Sequence, residues 1–207
     1  GDNAGDVITE LSGEGRDMVY TSIQYTLGAN VEDLAISGTS SALNIYGNGL
    51  ANLLVGNGAQ NTLDGGGGAD TLVGQLGDDL YVIDDVGDVI IEGADGGRDT
   101  IYTAITYYQM GDNVEDFQAT SNAGSYVVGN SVDNLIVGLG GADTLIGGVG
   151  ADTLVGAAGD DSYIIADQTD VIIEGAGGGR DTIYTSISYY QMGDNVEDLS
   201  MTGTGGT

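Results

Sequence analysis

The chain has 207 residues, of which 32 are Asp or Glu and only three are Lys or Arg, and its formal net charge is −29. The scarcity of basic residues argues against nucleic acid as a partner, and no apolar run approaches the roughly 18 residues of a membrane span. The absence of Cys and His excludes disulfides, zinc thiolate sites and histidine bases.

So acidic a chain repels itself when it is compact, unless cations neutralise it. Its apolar residues are divided among short segments, so they cannot offset this repulsion in one large core. We therefore expect the metal-free chain to be largely disordered.

A long repeat organises the sequence. Related motifs of the form Asp-Val-Ile-x-Glu begin at the equally spaced Asp6, Asp88 and Asp170, and the ranges 88–116 and 170–198 differ at only three positions. We interpret 1–207 as one continuous domain made of modules 1–82, 83–164 and 165–207, the last of them partial. We expect the array to continue beyond at least one end.

Two blocks of the chain, 47–82 and 129–164, each consist of four consecutive nonapeptides. Every nonapeptide begins with Gly, has Asn or Asp at its sixth position and has Leu, Ile or Tyr at its eighth. A Gly-rich hexapeptide can turn tightly because Gly accepts positive φ, and the next three residues suit a short strand whose eighth side chain points into a core. This period predicts an all-β fold, a right-handed parallel β-roll or β-solenoid with calcium-binding turns.

If two nonapeptides form one coil, every second turn stacks on the same side of the solenoid. Carboxylates and carbonyls between stacked turns then form an oxygen cage that suits Ca²⁺, which accepts about 6 to 8 oxygen ligands. Three pairs consist of two carboxylates and rank highest: Asp70/Asp88, Asp143/Asp161 and Asp152/Asp170. The other candidate ligands are Asp79, the less charged Asn52, Asn61 and Asn134, and the turn glycines Gly65, Gly67, Gly74, Gly138, Gly147 and Gly156.

Other turns depart from this pattern. The turns that begin at Gly38 and Thr120 have Leu43 and Ser125 at the sixth position, so we expect no metal there. Many turns lack the second Gly, among them those with Gln75, Leu139 and Ala157, where we expect weaker sites. No EF-hand motif is present in the sequence.

The segments between the nonapeptide blocks are also predicted to be β-structure. Residues 83–91 fit the nine-residue frame, with a short strand at 89–91, a turn at 93–97 and a longer strand at 101–108. The longer strand is indicated by an alternation with period two. Because no helical periodicity interrupts these segments, we expect the solenoid to run through them without a domain break.

Two residue types in these segments allow two interpretations each. Arg16, Arg98 and Arg180 are either clamps for an acidic polymer or partners of a carboxylate in an adjacent coil, such as Glu92 or Glu115, and we favour the second. The tyrosines either form an exposed ladder for sugar stacking or pack in the core or across strands, and we again favour the second. The tyrosines concerned are Tyr102, Tyr107, Tyr108, Tyr184, Tyr189 and Tyr190.

The nonapeptides GGGGADTLV (65–73) and GGVGADTLV (147–155), with the closing segments GDDLYVID and GDDSYII, resemble the repeats-in-toxin (RTX, haemolysin-type) calcium-binding family. The segment LGANVEDLAISGT resembles the spacers of long extracellular RTX arrays of Gram-negative bacteria. The resemblance implies Ca²⁺ as the bound ion, type I secretion of an unfolded chain, and folding outside the cell at about millimolar calcium.

Two functions fit these observations. The first is a secreted structural or adhesive array, namely a surface layer, an adhesin stalk or a filament subunit, with head-to-tail self-association through its end coils. The second is a non-catalytic module of a larger secreted enzyme or toxin. Glu115 and Asp116 could serve glycoside hydrolysis, but such pairs recur at a fixed place in every module, which favours a solvated loop. We therefore expect no enzymatic activity.

Overall fold

The computed structural model describes residues 7–38 and 42–202. Within these ranges the secondary structure consists of short strands joined by turns and bends, with no helix. The chain divides into two compact units, Gly1–Tyr102 and Thr103–Thr207. Asp6 of the repeated motif and part of the predicted turn at 38–46 lie outside the described residues.

Unit 1 is a parallel β-solenoid whose successive strands alternate between two sheets. One sheet has the order β1-β3-β5-β7-β9, and the other contains β2, β4, β6, β8 and β10 in that order. The strands are β1 Met18–Thr21, β2 Tyr25–Thr26, β3 Asp33–Ile36, β4 Asn44–Asn48, β5 Leu53–Val55, β6 Thr62–Gly66, β7 Thr71–Val73, β8 Leu80–Ile83, β9 Val89–Ile91 and β10 Thr100–Thr103, at the end of the unit.

Unit 2 repeats this architecture. One sheet has the order β11-β13-β15-β17-β19-β20, and the other contains β12, β14, β16 and β18 in that order. The strands are β11 Tyr107–Gln109, β12 Asp116–Ala119, β13 Tyr126–Val128, β14 Leu135–Val137, β15 Thr144–Ile146, β16 Thr153–Val155, β17 Ser162–Ile165, β18 Val171–Ile173, β19 Thr182–Thr185 and β20 Asp198–Met201.

The eighth residues of the nonapeptides form the core of each unit. Parallel pairing places Leu63 beside Tyr81 in unit 1 and Leu145 beside Tyr163 in unit 2, and the two members of each pair are separated by two nonapeptides. Full burial of a side chain of this size contributes about 1.5–3 kcal/mol. The eight residues, all 0% exposed, are Leu54, Leu63, Leu72, Tyr81, Ile136, Leu145, Leu154 and Tyr163. The predicted fold class and the two-nonapeptide coil are therefore confirmed.

The strand predicted at 101–108 is wrong in its extent. The structure has two strands there, β10 and β11, because the chain bends after Thr103. The Thr103 hydroxyl accepts a hydrogen bond from the Ile105 N–H at 3.0 Å, which stabilises the bend. The alternation consequently loses its phase, and Tyr107 is 62% exposed. The short strand predicted at 89–91 is confirmed as β9.

The structure supports the pairing interpretation for two of the arginines. Arg16 makes a two-pronged ion pair with Asp33, at 2.8 and 2.9 Å, and the Arg180 Nε lies 2.8 Å from Asp198. The partner is thus the Asp of the Asn-Val-Glu-Asp motif.

Two of the tyrosines stack on an aromatic ring of another strand, as predicted, although Tyr107 and Tyr189 are exposed and do not belong to the core. Tyr108 stacks on Phe117, with ring centroids 5.8 Å apart. Tyr107 stacks on Tyr126 of the adjacent strand, with ring centroids 5.3 Å apart.

Several turns hold non-Gly residues in the left-handed region of backbone space. Gln75, Leu139 and Ala157, each at the second position of its nonapeptide, have φ of 83°, 88° and 75°. An L-residue in this conformation costs roughly 1–2 kcal/mol because its Cβ crowds the carbonyl oxygen. These nonapeptides keep the turn despite the strain, so the missing Gly affects stability rather than the path of the chain.

We expect Ala157→Gly to raise the free energy of unfolding by about 0.5–1 kcal/mol, since relief of the strain exceeds the added flexibility of the unfolded chain. Ala158→Gly is the matched control, because Ala158 is not among the residues with positive φ. The control should lower the stability by about 0.5–1 kcal/mol. Urea denaturation in saturating calcium measures both, and equal changes in the two variants would contradict the strain argument.

Candidate metal centres

The sixth residues of the nonapeptides stack along each unit through their own hydrogen bonds. The backbone N–H of Asp70 donates to Asp88 Oδ1 at 2.9 Å, and that of Asp143 donates to Asp161 Oδ1 at 2.7 Å. A third pair, Asp152 N–H to Asp170 Oδ1, is 3.2 Å apart. All three carboxylate pairs predicted from the stacking of every second turn are thus direct neighbours.

The second carboxylate oxygen of many of these residues is buried and uncommitted. Five nonapeptide Asp side chains, each no more than 2% exposed, have an Oδ2 without a hydrogen-bond partner. An ionised oxygen held away from water without a partner is costly. Each of these atoms therefore requires either a proton or a cation. They belong to Asp70, Asp79, Asp143, Asp152 and Asp161.

The first Gly of these nonapeptides brings the backbone against the uncommitted oxygen. A Cβ added at Gly65 would collide with Asp70 Oδ2, so no larger residue fits this position. The same relation holds for the predicted glycines Gly74, Gly138, Gly147 and Gly156, each with the Asp at the sixth position of its own nonapeptide. Gly67 differs, because a Cβ there would meet nothing within 4 Å.

The turns with Asn at the sixth position are satisfied by hydrogen bonds alone. Asn134 Nδ2 donates to the carbonyls of Val114 and Glu115 at 3.0 and 3.2 Å, while its Oδ1 accepts from the Asn130 N–H. Asn52 donates to two carbonyls of the preceding coil in the same way, and Asn61 to one. The side-chain NH₂ group of Asn thus donates hydrogen bonds at the place where Asp has a free anionic oxygen. A turn with Asn therefore needs no cation there.

Asp88 and Asp170 form a third class. The Oδ2 of Asp88 accepts from the N–H groups of Asp84 and Asp85, each at 3.2 Å, and that of Asp170 accepts from Asp167 N–H at 3.1 Å. Both oxygens of Asp88 and of Asp170 are therefore hydrogen-bonded. These two carboxylates need a cation less than their stacked neighbours Asp70 and Asp152 do.

The electrostatics of the stacked carboxylates follow from their burial. Burial raises the pKa of Asp70 and Asp143 to about 6 and that of Asp79 to about 7, with a further contribution from the neighbouring Asp in each stack. It also raises the pKa of Asp152 and Asp161. The folded chain therefore takes up protons at these positions when no cation is bound.

These donor sets fit Ca²⁺. They contain only oxygen ligands, and the chain has no Cys or His to favour a softer metal. Each of the five Asp turns holds a free Oδ2 close to the backbone of its first Gly.

The structure also shows stacked carboxylates that the nonapeptide frame misses. Asp99 Oδ1 accepts from Asp79 N–H at 2.8 Å, and Asp181 Oδ1 accepts from Asp161 N–H at 2.9 Å, each across 20 residues. The nine-residue frame does not identify Asp99 and Asp181, because the coil after each block is two residues longer than the coils within the block. The one available signal was the recurrence of Gly-Arg-Asp in every module.

A family model for the RTX calcium-binding nonapeptide repeat, four copies long, matches residues 46–81 and again residues 128–163. The chain contains two blocks of RTX calcium-binding repeats. Its nonapeptides are calcium-binding repeats, and the matched ranges contain all five Asp residues with an uncommitted Oδ2. No curated protein and no solved structure matches the RTX chain. No helix among the residues described is long and apolar enough to span a membrane.

We expect the metal-free RTX chain to be more stable at pH 5 than at pH 8. Asp70, Asp79 and Asp143 have folded-state pKa values of about 6 to 7, against about 3.9 in an unfolded chain. Because the folded pKa is the higher one, this contribution is complete below about pH 4 and is lost as the pH rises through 6 to 7. The measurement is the β-structure content of the chain in EDTA, followed by far-UV circular dichroism from about pH 4 to about pH 8.

The control is Asp70→Asn/Asp143→Asn, which removes two of the titrating groups and should flatten the pH dependence. The chain has no His to titrate in this window. A pH dependence confined to the region near pH 4 would contradict the assignment of raised carboxyl pKa values.

Proposed function

We propose that this chain is a secreted structural or adhesive RTX array that folds when it binds extracellular calcium. The observation that carries the proposal is the set of buried Oδ2 atoms without partners, stacked in coils that place them at regular intervals. We assign Asp70, Asp79, Asp143, Asp152 and Asp161 as ligands, together with oxygens of the adjacent Gly-rich turns. Asn52, Asn61 and Asn134 contribute hydrogen bonds in place of metal.

The charge balance of the chain supports calcium-dependent folding. The three Arg residues are the only basic side chains against 32 carboxylates. Two of them, Arg16 and Arg180, have exposed side chains that are already paired with Asp33 and Asp198. The buried Asp column therefore needs an external cation. Because the stacked site does not exist in an unfolded chain, binding of the cation is coupled to folding. Extracellular calcium modules bind at about 10⁻⁴–10⁻³ M.

The repetition of the sequence favours an array over an accessory module. Asp70 and Asp79 of module 1–82 correspond to Asp152 and Asp161 of module 83–164, so the repeat extends the length without creating a new site. Strand edges at the ends of parallel coils can pair with a second copy, and we therefore propose head-to-tail self-association. We assign no catalytic role to Glu115 and Asp116.

We also propose that the chain is secreted through a type I channel of a Gram-negative bacterium. RTX repeats are typical of secreted proteins of these bacteria. A chain that stays unfolded at low cytosolic calcium and folds outside the cell would suit such a route.

We expect Asp143→Asn to raise the calcium concentration at the folding midpoint about 10-fold, the scale on which altered ligand surroundings weaken metal sites. The substitution removes the charge and the free Oδ2, while Oδ1 can still accept from Ser125 N–H. The matched control is Asp112→Asn in the same unit, because Asp112 is exposed. Far-UV circular dichroism during calcium titration gives both midpoints. Equal midpoints for the two variants would refute the ligand assignment.

A further inference from the structure

A second kind of acidic site lies where each nonapeptide block ends. The coil that follows the last nonapeptide is longer than the coils within the block, and its Asp still reaches the stack. Asp181 Oδ1 accepts from Asp161 N–H at 2.9 Å in unit 2, and Asp99 Oδ1 accepts from Asp79 N–H at 2.8 Å in unit 1. The longer coil also brings a Glu close to the two Asp residues of each stack.

Three carboxylates converge at this point in each unit. Asp161, Glu174 and Asp181 offer oxygens that all lie within 4.8 Å of one another, and these side chains are 1%, 8% and 0% exposed. The equivalent set in unit 1 is Asp79, Glu92 and Asp99. We call these the junction triads.

Two residues of the triad in unit 2 have uncommitted oxygens. Asp161 Oδ2 and Asp181 Oδ2 are both buried without a hydrogen-bond partner. A Cβ added at Gly156 would collide with Asp161 Oδ2 and with the Tyr163 hydroxyl, and it would lie 2.6 Å from Glu174 Oε1. Three oxygens from three side chains therefore surround a point that only Gly leaves open.

A buried tyrosine positions the Glu of each triad. The Tyr163 hydroxyl donates to Glu174 Oε1, and the Tyr81 hydroxyl donates to Glu92 Oε1. Both tyrosines are 0% exposed. The hydrogen bond holds one Glu oxygen against the Asp stack even though the Glu comes from a different part of the coil.

No basic side chain can neutralise the triad of unit 2. Arg180 is the only basic residue of this unit. Its guanidinium is bound to Asp198, and its side chain is 73% exposed. Three buried carboxylates without a cationic side chain must be neutralised by protons or by a metal ion.

We propose that each junction triad binds one Ca²⁺, so that the ion at Asp79 and the ion at Asp161 are each held by a Glu and an Asp of the longer coil as well as by the turn Asp. The donors are all oxygens, they are buried and anionic, and their irregular arrangement suits Ca²⁺ better than Mg²⁺, which demands near-octahedral geometry. Glu92, Asp99, Glu174 and Asp181 all lie outside the ranges matched by the RTX repeat model, 46–81 and 128–163.

The junction site fastens the longer coil to the end of the nonapeptide stack. Its ligands in unit 1 are Asp79, Glu92 and Asp99, so one ion joins two successive coils. The two triads occupy corresponding positions of the long repeat, which gives one such site at the end of each nonapeptide block. This proposal rests on the proposed assignment of Asp79 and Asp161 as calcium ligands, but it does not depend on the other turn ligands or on secretion.

The test is the number of calcium ions bound by the full chain at saturation, measured by equilibrium dialysis with elemental analysis. The variant Glu92→Gln/Glu174→Gln removes one charge from each triad and keeps a group that can accept from the tyrosine. We expect it to bind two fewer ions per chain than the wild type. The matched control Asp112→Asn/Asp194→Asn removes two exposed charges, also at corresponding positions of the long repeat, and should bind the full number.

Terbium luminescence gives a second readout that does not require removal of a carboxylate. Tb³⁺ replaces Ca²⁺ at oxygen sites and is excited by energy transfer from a nearby tyrosine, and the chain has no Trp to compete. Tyr81→Phe/Tyr163→Phe keeps every carboxylate of both triads. We expect this variant to lose most of the tyrosine-excited Tb³⁺ emission, whereas Tyr189→Phe, at an exposed position, should retain it.

The outcomes separate this proposal from the proposed function. If Glu92→Gln/Glu174→Gln binds as many ions as the wild type, the triads hold protons and the junction sites do not exist, although calcium-dependent folding stands. If that variant does not fold, unchanged Tb³⁺ emission in Tyr81→Phe/Tyr163→Phe overturns the proposal by itself. A wild-type chain that binds no calcium would instead overturn the proposed function.

Discussion

The buried carboxylates of the turns are the constraint on which the rest of the structure depends. Each one accepts a backbone N–H from the preceding coil through Oδ1, and this contact spaces the coils along each unit. The same burial leaves Oδ2 without a partner at five nonapeptide positions. The apolar ladder of eighth residues favours the coil at any calcium concentration, whereas the column of carboxylates opposes it until a cation arrives. The free energy of folding is thus the sum of two contributions. The burial of the apolar ladder is favourable at any calcium concentration, and the repulsion among the carboxylates is unfavourable until calcium is bound.

Asn and Asp at the sixth position satisfy this constraint in two different ways. Asn134 donates to carbonyls of the preceding coil and needs nothing from solution, while Asp143, one nonapeptide later, has a free oxygen. Both blocks begin with Asn and end with Asp. The demand for cations therefore rises along each block and is greatest at its end, where the third carboxylate of the junction triad joins the stack.

The nine-residue period was sufficient to predict the fold, because it fixes both the buried eighth residue and the register between successive coils. It also identified the stacked pairs, including Asp143 and Asp161. It did not predict that Asp88 and Asp170 have both oxygens hydrogen-bonded, since this depends on the path of the loops before them. Nor could it find Glu174 and Asp181, because the greater length of their coil removes them from the frame. The predicted continuity of 1–207 as one solenoid stays a prediction.

The most direct test of the account is far-UV circular dichroism combined with size-exclusion chromatography, in EDTA and then from micromolar to about 10 mM calcium, the range that includes extracellular sites. The account predicts a disordered, expanded chain in EDTA at pH 8 and a cooperative change to a compact β-structure as calcium rises. An increase in molecular size beyond that of the monomer, at the calcium concentration where the chain folds, would indicate self-association. A β-spectrum that EDTA leaves unchanged at pH 8 would mean that the apolar ladder alone holds the coils, and would contradict the central claim.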